Sequence, residues 1–238
     1  MTPDLSTRAA DARELMDDPD ADLRMLERTY ARFPLINALV SRWRSVYRRD
    51  IRPRARRGPI RLLDVGAGGG DVSRALAAWA RRDRLEVSVT ALDADPRAVR
   101  WANGRGGRVE YRCARTDDLV GAGERFDVVV SNHLLHHLEA DELPALLHDT
   151  IRLTADDGLV LHRDIARSRF AYRAFAAGTW PFSRNVLADS FIRDDGLTSI
   201  RRSYTAEEIA GLVPDGWQVR GQAPARLELR WEAWDARP

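Results

Sequence analysis

From Ile60 onward the apolar positions follow two alternating rhythms. "IRLLDVG", "LEVSVTALD", "RVEYRCA", "RFDVVVSN" and "GLVLHRDI" are short apolar runs bounded by turn residues, and they read as strands. Between them, "DVSRALAAWARRD", "DPRAVRWANG" and "ADELPALLHDTIRLT" carry apolar residues at helical spacing. The β-α-β-α order predicts an α/β fold, a doubly wound, mostly parallel sheet with helices on both faces. "YTAEEIAGLVP" is a further helix, with Thr205 as N-cap and Glu208 three residues later. "WQVRGQAP" and "RLELRWEAW", which ends at Trp234, close the chain as two strands.

Ahead of Ile60 the pattern is helical. Leu23, Leu26 and Tyr30 share one helical face, as do Ile36, Leu39, Val40, Trp43 and Tyr47. Pro34 suits the first turn of the second helix, and "RPRARRGP" breaks the pattern as a linker. The chain therefore divides into an N-terminal helical extension, residues 1–57, and an α/β domain, residues 58–238. An aromatic-rich insert at about 166–202 interrupts the alternation.

The 238 residues suffice for one substantial core. No run approaches the roughly 18 apolar residues of a membrane span, and the acidic start lacks a secretory pattern. A single cysteine, Cys113, points to a reducing, cytoplasmic setting. All basic residues are arginines, yet the net charge is only +2, which argues against nucleic acid as a partner. The local exception is the arginine-rich stretch Ser41–Pro59, read as a solvated helix end and linker or as a phosphate-binding patch.

The stretch "RLLDVGAGGGDVSRALAAWA" is a strand, a glycine turn and a helix, the arrangement that holds many nucleotide cofactors. The dinucleotide fingerprint needs glycine at its sixth position, where Asp71 stands, and the Walker A pattern also fails. A nicotinamide oxidoreductase is thereby disfavoured. The pattern that fits is D-x-G-x-G-x-G, at Asp64, Gly66, Gly68 and Gly70. It resembles motif I of the class I S-adenosylmethionine-dependent methyltransferases. "RFDVVVSNHLLHHL" resembles that family's motif IV, and the likeness covers about Ile60 to Ile165.

The resemblance implies a seven-stranded, Rossmann-like sheet with an antiparallel last strand. It also implies S-adenosyl-L-methionine as cofactor and S-adenosyl-L-homocysteine as product. Asp64, Gly66, Ala67, Gly68 and Gly70 would meet the amino-acid tail and ribose, with Asp64 accepting from the ammonium group. Asp93, followed by Ala94, would take the ribose hydroxyls, while Asp95 caps the helix that Pro96 opens. For adenine, the family's usual acid falls near Arg115, so either Asp117 shifts in or Thr116 and backbone groups serve. Asn132 and His133, just past the fourth strand, would complete the cofactor site.

His136, His137, His162 and Asp164 also sit at strand ends, so they are expected to converge on the same pocket. Methyl transfer to a hydroxyl needs a proton acceptor, and an imidazole titrates near neutrality. "HLLHHL" is similar to a stretch that carries the general base in phenolic O-methyltransferases. On that match His136 is the first candidate and His133 the second. His133 and His137 have i, i+4 spacing, but no H-E-x-x-H or cysteine pair accompanies them, so no metal is expected.

The insert carries Phe170, Tyr172, Phe175, Trp180, Phe182 and Phe191, a lid suited to an apolar or aromatic small-molecule substrate. Arg193 and Arg201 are candidates for holding an acidic group. "RELMDD", "FPLINALV" and "SFIRDDGLTSIRRSYT" look like a bacterial subgroup that accompanies aromatic polyketide pathways, which implies O-methylation of a phenol. Two other readings stay open: an RNA methyltransferase using the arginines of residues 41–57, and a non-catalytic cofactor-binding protein. The N-terminal helices either cover their own site or swap into the partner's in a homodimer.

Overall fold

The computed structural model describes residues 3–139 and 141–233. Its centre is a seven-stranded sheet: β1 (Ile60–Val65), β2 (Val87–Asp93), β3 (Val109–Cys113), β4 (Phe126–Asn132), β5 (Thr154–Ile165), β6 (Gln218–Gln222) and β7 (Arg226–Glu232). The order is β3-β2-β1-β4-β5-β7-β6. The first five strands are parallel, and β7 runs antiparallel to both β5 and β6. Strands β1 and β4 lie at the centre with both faces covered, which is why they read as near-continuous apolar runs. Trp234, at the end of the predicted closing strand, and the side chain of Leu39 lie outside the described residues.

The helices are α1 (Leu23–Val40), α2 (Trp43–Val46), α3 (Arg52–Ala55), α4 (Asp71–Arg82), α5 (Pro96–Asn103), α6 (Thr116–Gly121), α7 (Glu142–Arg152), α8 (Arg169–Thr179), α9 (Ile192–Arg202) and α10 (Ala206–Ala210). One apolar core lies between the sheet and α7, and a second between the sheet and α2–α4. Asp95 caps α5, and Thr205 and Glu208 form the reciprocal cap of α10. The insert folds as α8 and α9, joined by residues 180–191, which open with a 3-10 turn at Trp180–Phe182.

Three local expectations are corrected. Pro34 lies inside α1 rather than opening a second helix. The chain breaks instead at Arg42, whose φ of 50° is left-handed. "RPRARRGP" is not all linker: a π-helical turn at Tyr47–Ile51 carries the helix through to Ala55, because Tyr47, Ile51 and Ala55 are buried. Leu23 is 53% exposed, whereas Leu26 and Tyr30 are buried. Residues 116–121, which show no long apolar period, form the short helix α6.

The segment before α1, here termed the strap, crosses the top of the molecule. Ala9 N–H bonds to Arg201 O, and Arg8 donates to the carbonyls of His136, Leu138 and Arg202. Asp195 of α9 accepts from the amides of Leu15 and Met16 at 2.7 and 3.0 Å. The strap thus covers its own chain's site. Among the described residues no helix is long and apolar enough to cross a membrane.

Candidate active site

A cavity of about 570 Å³ opens beyond the carboxyl ends of β1, β2 and β4, under α1, α9 and the strap. That is within the range of small-molecule sites, about 300–1,000 Å³. Its floor is the glycine turn. Gly66, Gly68 and Gly70 have φ of 65°, 52° and 70°, which residues with a side chain rarely adopt. The turn's shape is fixed from outside: Gly68 N–H donates to Asp93 at 2.7 Å, and a Cβ on Gly69 would meet Tyr30 at 2.9 Å. Gly70 does not line the cavity; its lack of a Cβ makes room for Tyr111, which would lie 2.5 Å away.

Three acids face this turn. Asp64, 1% exposed, accepts from Ser73 Oγ, and Asp71 accepts from Asn37 at 2.9 Å. Asp93 accepts from the amides of Gly68 and Asp95. Burial pushes the Asp64 carboxyl up to about 7, and the nearby charges of Asp71 and Asp93 add to that, against the Ser73 bond. Burial also raises Asp71 and Asp93. An acid cluster that burial makes costly to ionise, with no cation acting on Asp64 among the described residues, fits a ligand bringing an ammonium group and hydroxyl donors.

Of the other expected cofactor residues, Ala67, Ala94, Thr116, Asn132 and His133 line the cavity. Asn132 is held by Trp43 Nε1 at 2.8 Å, and Thr116 donates to Asp149 at 2.7 Å. Asp117 does not line it; its side chain is 71% exposed beside Arg115. That loop turns Thr116 inward because Asp118, not Asp117, caps the start of α6.

The histidines separate into distinct environments. His162 is not in the site: it bonds to Ser131 and Thr150, stacks on Trp217, and burial pushes it down to about 3. His136 is buried, with Nδ1 2.8 Å from Asp164 and Nε2 3.2 Å from Glu14. Burial opposes its charge, but Asp164 and then Glu14 outweigh that and raise it to about 10. At neutral pH His136 is therefore an imidazolium with both nitrogens occupied. The counter-shift falls on the acids. Burial works against their charge, yet the histidines hold Asp164 well below the ordinary range and Glu14 down at about 2. His133 has a left-handed φ of 57° and a ring 29% exposed. Its Nδ1 lies 3.4 Å from Asp164, and its Nε2 has no protein partner among the described residues.

Sequence reasoning missed Glu14, Asp71 and Asp195. Glu14 and Asp195 reach the site from elements distant in sequence, and they fall within the quoted likenesses "RELMDD" and "SFIRDDGLTSIRRSYT" without being singled out there. Other expectations find structural uses instead. Arg193 donates to Ala176 O and Thr179 within the lid. In the arginine-rich stretch, Arg49, Arg52 and Arg54 pair with Glu228, Asp83 and Glu232. Those arginines hold the helix to the body and are not free for phosphates. Phe175 lines the cavity and Phe191 is buried, while Phe170, Trp180 and Phe182 face solvent.

This sheet order, with a glycine turn and acids at the ends of β1 and β2, defines a class I S-adenosylmethionine-dependent methyltransferase. Comparisons agree. The family profile described as a methyltransferase domain matches residues 39–212, so the chain belongs to that family. It is 27% identical over 190 residues to a ubiquinone biosynthesis O-methyltransferase of Xanthomonas oryzae pv. oryzae (strain PXO99A), covering 75% of this chain and 76% of that one. A protein of the same name from Cereibacter sphaeroides (strain ATCC 17025 / ATH 2.4.3) is 33% identical over 161 residues, covering 60% and 62%. The fold matches the plantazolicin methyltransferase BpumL in complex with S-adenosylhomocysteine, at TM-score 0.58, 13% identity and 92% coverage of each chain. The protein is an enzyme, and its cofactor is S-adenosyl-L-methionine.

Proposed function

We propose that the enzyme O-methylates a phenolic hydroxyl on a small, apolar or aromatic molecule of a secondary, polyketide-type pathway. The cofactor supplies an electrophilic methyl on a sulfonium. The chain must orient the acceptor, exclude water and take one proton. Phe33, Ile36, Val40, Ile165, Phe175 and Ile192 give the cavity an apolar wall. The O-methyltransferase names of the relatives support the same reading. The single exposed Cys113 suits a cytoplasmic setting.

The observation that carries the mechanism is the pairing of His133 with Asp164. His133 Nε2 takes the proton from the acceptor hydroxyl, and Asp164 balances the resulting imidazolium through Nδ1. His136 cannot accept a further proton in this arrangement, so its part is to hold Asp164. On this reading the base is His133 rather than the sequence's first candidate, His136. Asn132, Asp64 and Asp93 position the cofactor.

The test is single-turnover methyl transfer to a phenol panel by His133→Ala and His136→Gln. His133→Ala should lose about 10²–10⁴ of the rate, the usual span of general-base catalysis, and keep cofactor affinity. If only His136→Gln abolishes the chemical step while His133→Ala retains it, the assignment of the base is wrong.

A further inference from the structure

The trio Asp164–His136–Glu14 is more than a buried ion pair. Glu14 is 4% exposed, sits on the strap, and reaches His136 from 122 positions earlier in the chain. Its Oε1 takes both His136 Nε2 at 3.2 Å and Ser199 Oγ at 2.7 Å, the latter from α9. His136 therefore carries two carboxylates where one would neutralise it. The ring of His133, on the same loop, lies 6.4 Å from that of His136 and shares its Asp164.

We propose that Glu14 is a positioning residue of the methyl-transfer site: by closing the second nitrogen of His136, it leaves the trio one net negative charge, which serves His133. With Asp164 and His136 alone, the imidazolium would cancel the carboxylate, and His133 would face a neutral pair. With Glu14 present, Asp164 keeps its charge for the proton that His133 takes. Because Glu14 belongs to the strap, this charge is complete only when the strap is seated on α9. The inference rests on His133 being the base.

Other charged groups around His136 are accounted for. Arg8 and Arg202 donate to the carbonyls of His136 and His137, at 3.1 Å each. The His137 ring lies tilted at 35° to that of His136 with centroids 4.3 Å apart; Asp17 accepts from His137 at 3.1 Å, and His137 Nε2 lies 3.9 Å from Glu14. Asp195 binds the strap amides next to Glu14. None of these contacts a His136 ring nitrogen.

Glu14→Gln removes the charge while keeping the size, and Glu14→Asp keeps the charge. The first readout is an NMR pH titration of the histidine rings in the protein without cofactor. In the wild type His136 stays protonated through pH 8; in Glu14→Gln its midpoint should fall by one pH unit or more, and Glu14→Asp should restore part of the fall. The second readout is the acid limb of kcat/KM, which should move down by on the order of one pH unit, since a charge at this range acts through an effective dielectric near 20. If Glu14→Gln folds poorly, Ser199→Ala serves: it strips a donor from Glu14 and should move the His136 midpoint upward.

A merely structural Glu14 would lower Tm but leave both the midpoint and the limb in place, and that result overturns the proposal. A wild type that methylates no phenol yet shows the NMR response would sink the functional reading instead. The NMR arm would then still establish the coupling of Glu14 to His136.

Discussion

Cofactor binding should release a proton from Asp64, and the effect is large enough to measure. The gap between its ordinary 3.8 and about 7 corresponds to about 4 kcal/mol against ionisation. An ammonium placed beside the carboxylate returns that energy only by ionising it. The affinity of S-adenosylhomocysteine should therefore fall about tenfold for each pH unit below 7, and level off above it. Asp64→Asn removes that titrating group, so its affinity should lose the tenfold-per-unit dependence below pH 7, leaving only what Asp71 and Asp93 contribute. At pH 8 the variant should bind about 10- to 150-fold more weakly, the equivalent of about 1.5–3 kcal/mol for a hydrogen bond to a charged group. Titration calorimetry from pH 5.5 to 8, in two buffers of different ionisation enthalpy, reads both the affinity and the proton count. A wild-type affinity that does not change with pH, or an Asp64→Asn affinity within twofold of wild type, refutes the reasoning.

Three further outcomes are expected. Gly196→Ala places a Cβ 2.4 Å from the Phe175 ring, so that ring must leave the cavity wall; the acceptor KM should rise with little change in cofactor affinity, and stability should fall by about 1–3 kcal/mol in a denaturant titration. The pairing of Glu14 with His136 should stabilise the fold fully between pH 4.5 and 6.5. His136 is raised to about 10, so its contribution is lost as pH climbs through 10; Glu14 is lowered to about 2, so its contribution is lost as pH drops through 2. Accordingly the Tm gap between wild type and Glu14→Gln should narrow from pH 6.5 to 10. Turnover should survive dialysis against EDTA, because both His136 nitrogens are committed to carboxylates; loss of activity restored by a divalent cation would place an ion among them.

The fold was legible where one periodicity ruled alone. Strands β1, β2 and β4 are apolar runs because both faces of the sheet are covered, and the glycine turn shows in its spacing. Helix ends were legible where a side chain does the capping, as at Asp95 and Thr205. Pro34 misled because the apolar face of α1 keeps the helix going past it: Leu26, Tyr30 and Phe33 pack with Ala98 and Trp101 of α5. The site was legible up to the residues on strand ends. His136 and Asp164 could be placed near one another from topology, but not the state of the imidazole between them. That state depends on Asp164 and, after it, on Glu14, which joins the site only through the tertiary path of the strap. The inward turn of His162 was equally hidden, because successive residues of β5 face opposite sides and its register decides which.

The central claim, methyl transfer to a phenolic oxygen under His133, is tested most directly by product analysis. Purified enzyme with methyl-labelled S-adenosylmethionine and a set of small phenols should yield label on the phenolic oxygen, with His133→Ala losing it and still binding S-adenosylhomocysteine. Label that appears only in RNA or protein, or that transfers to phenols undiminished in His133→Ala, would contradict the account.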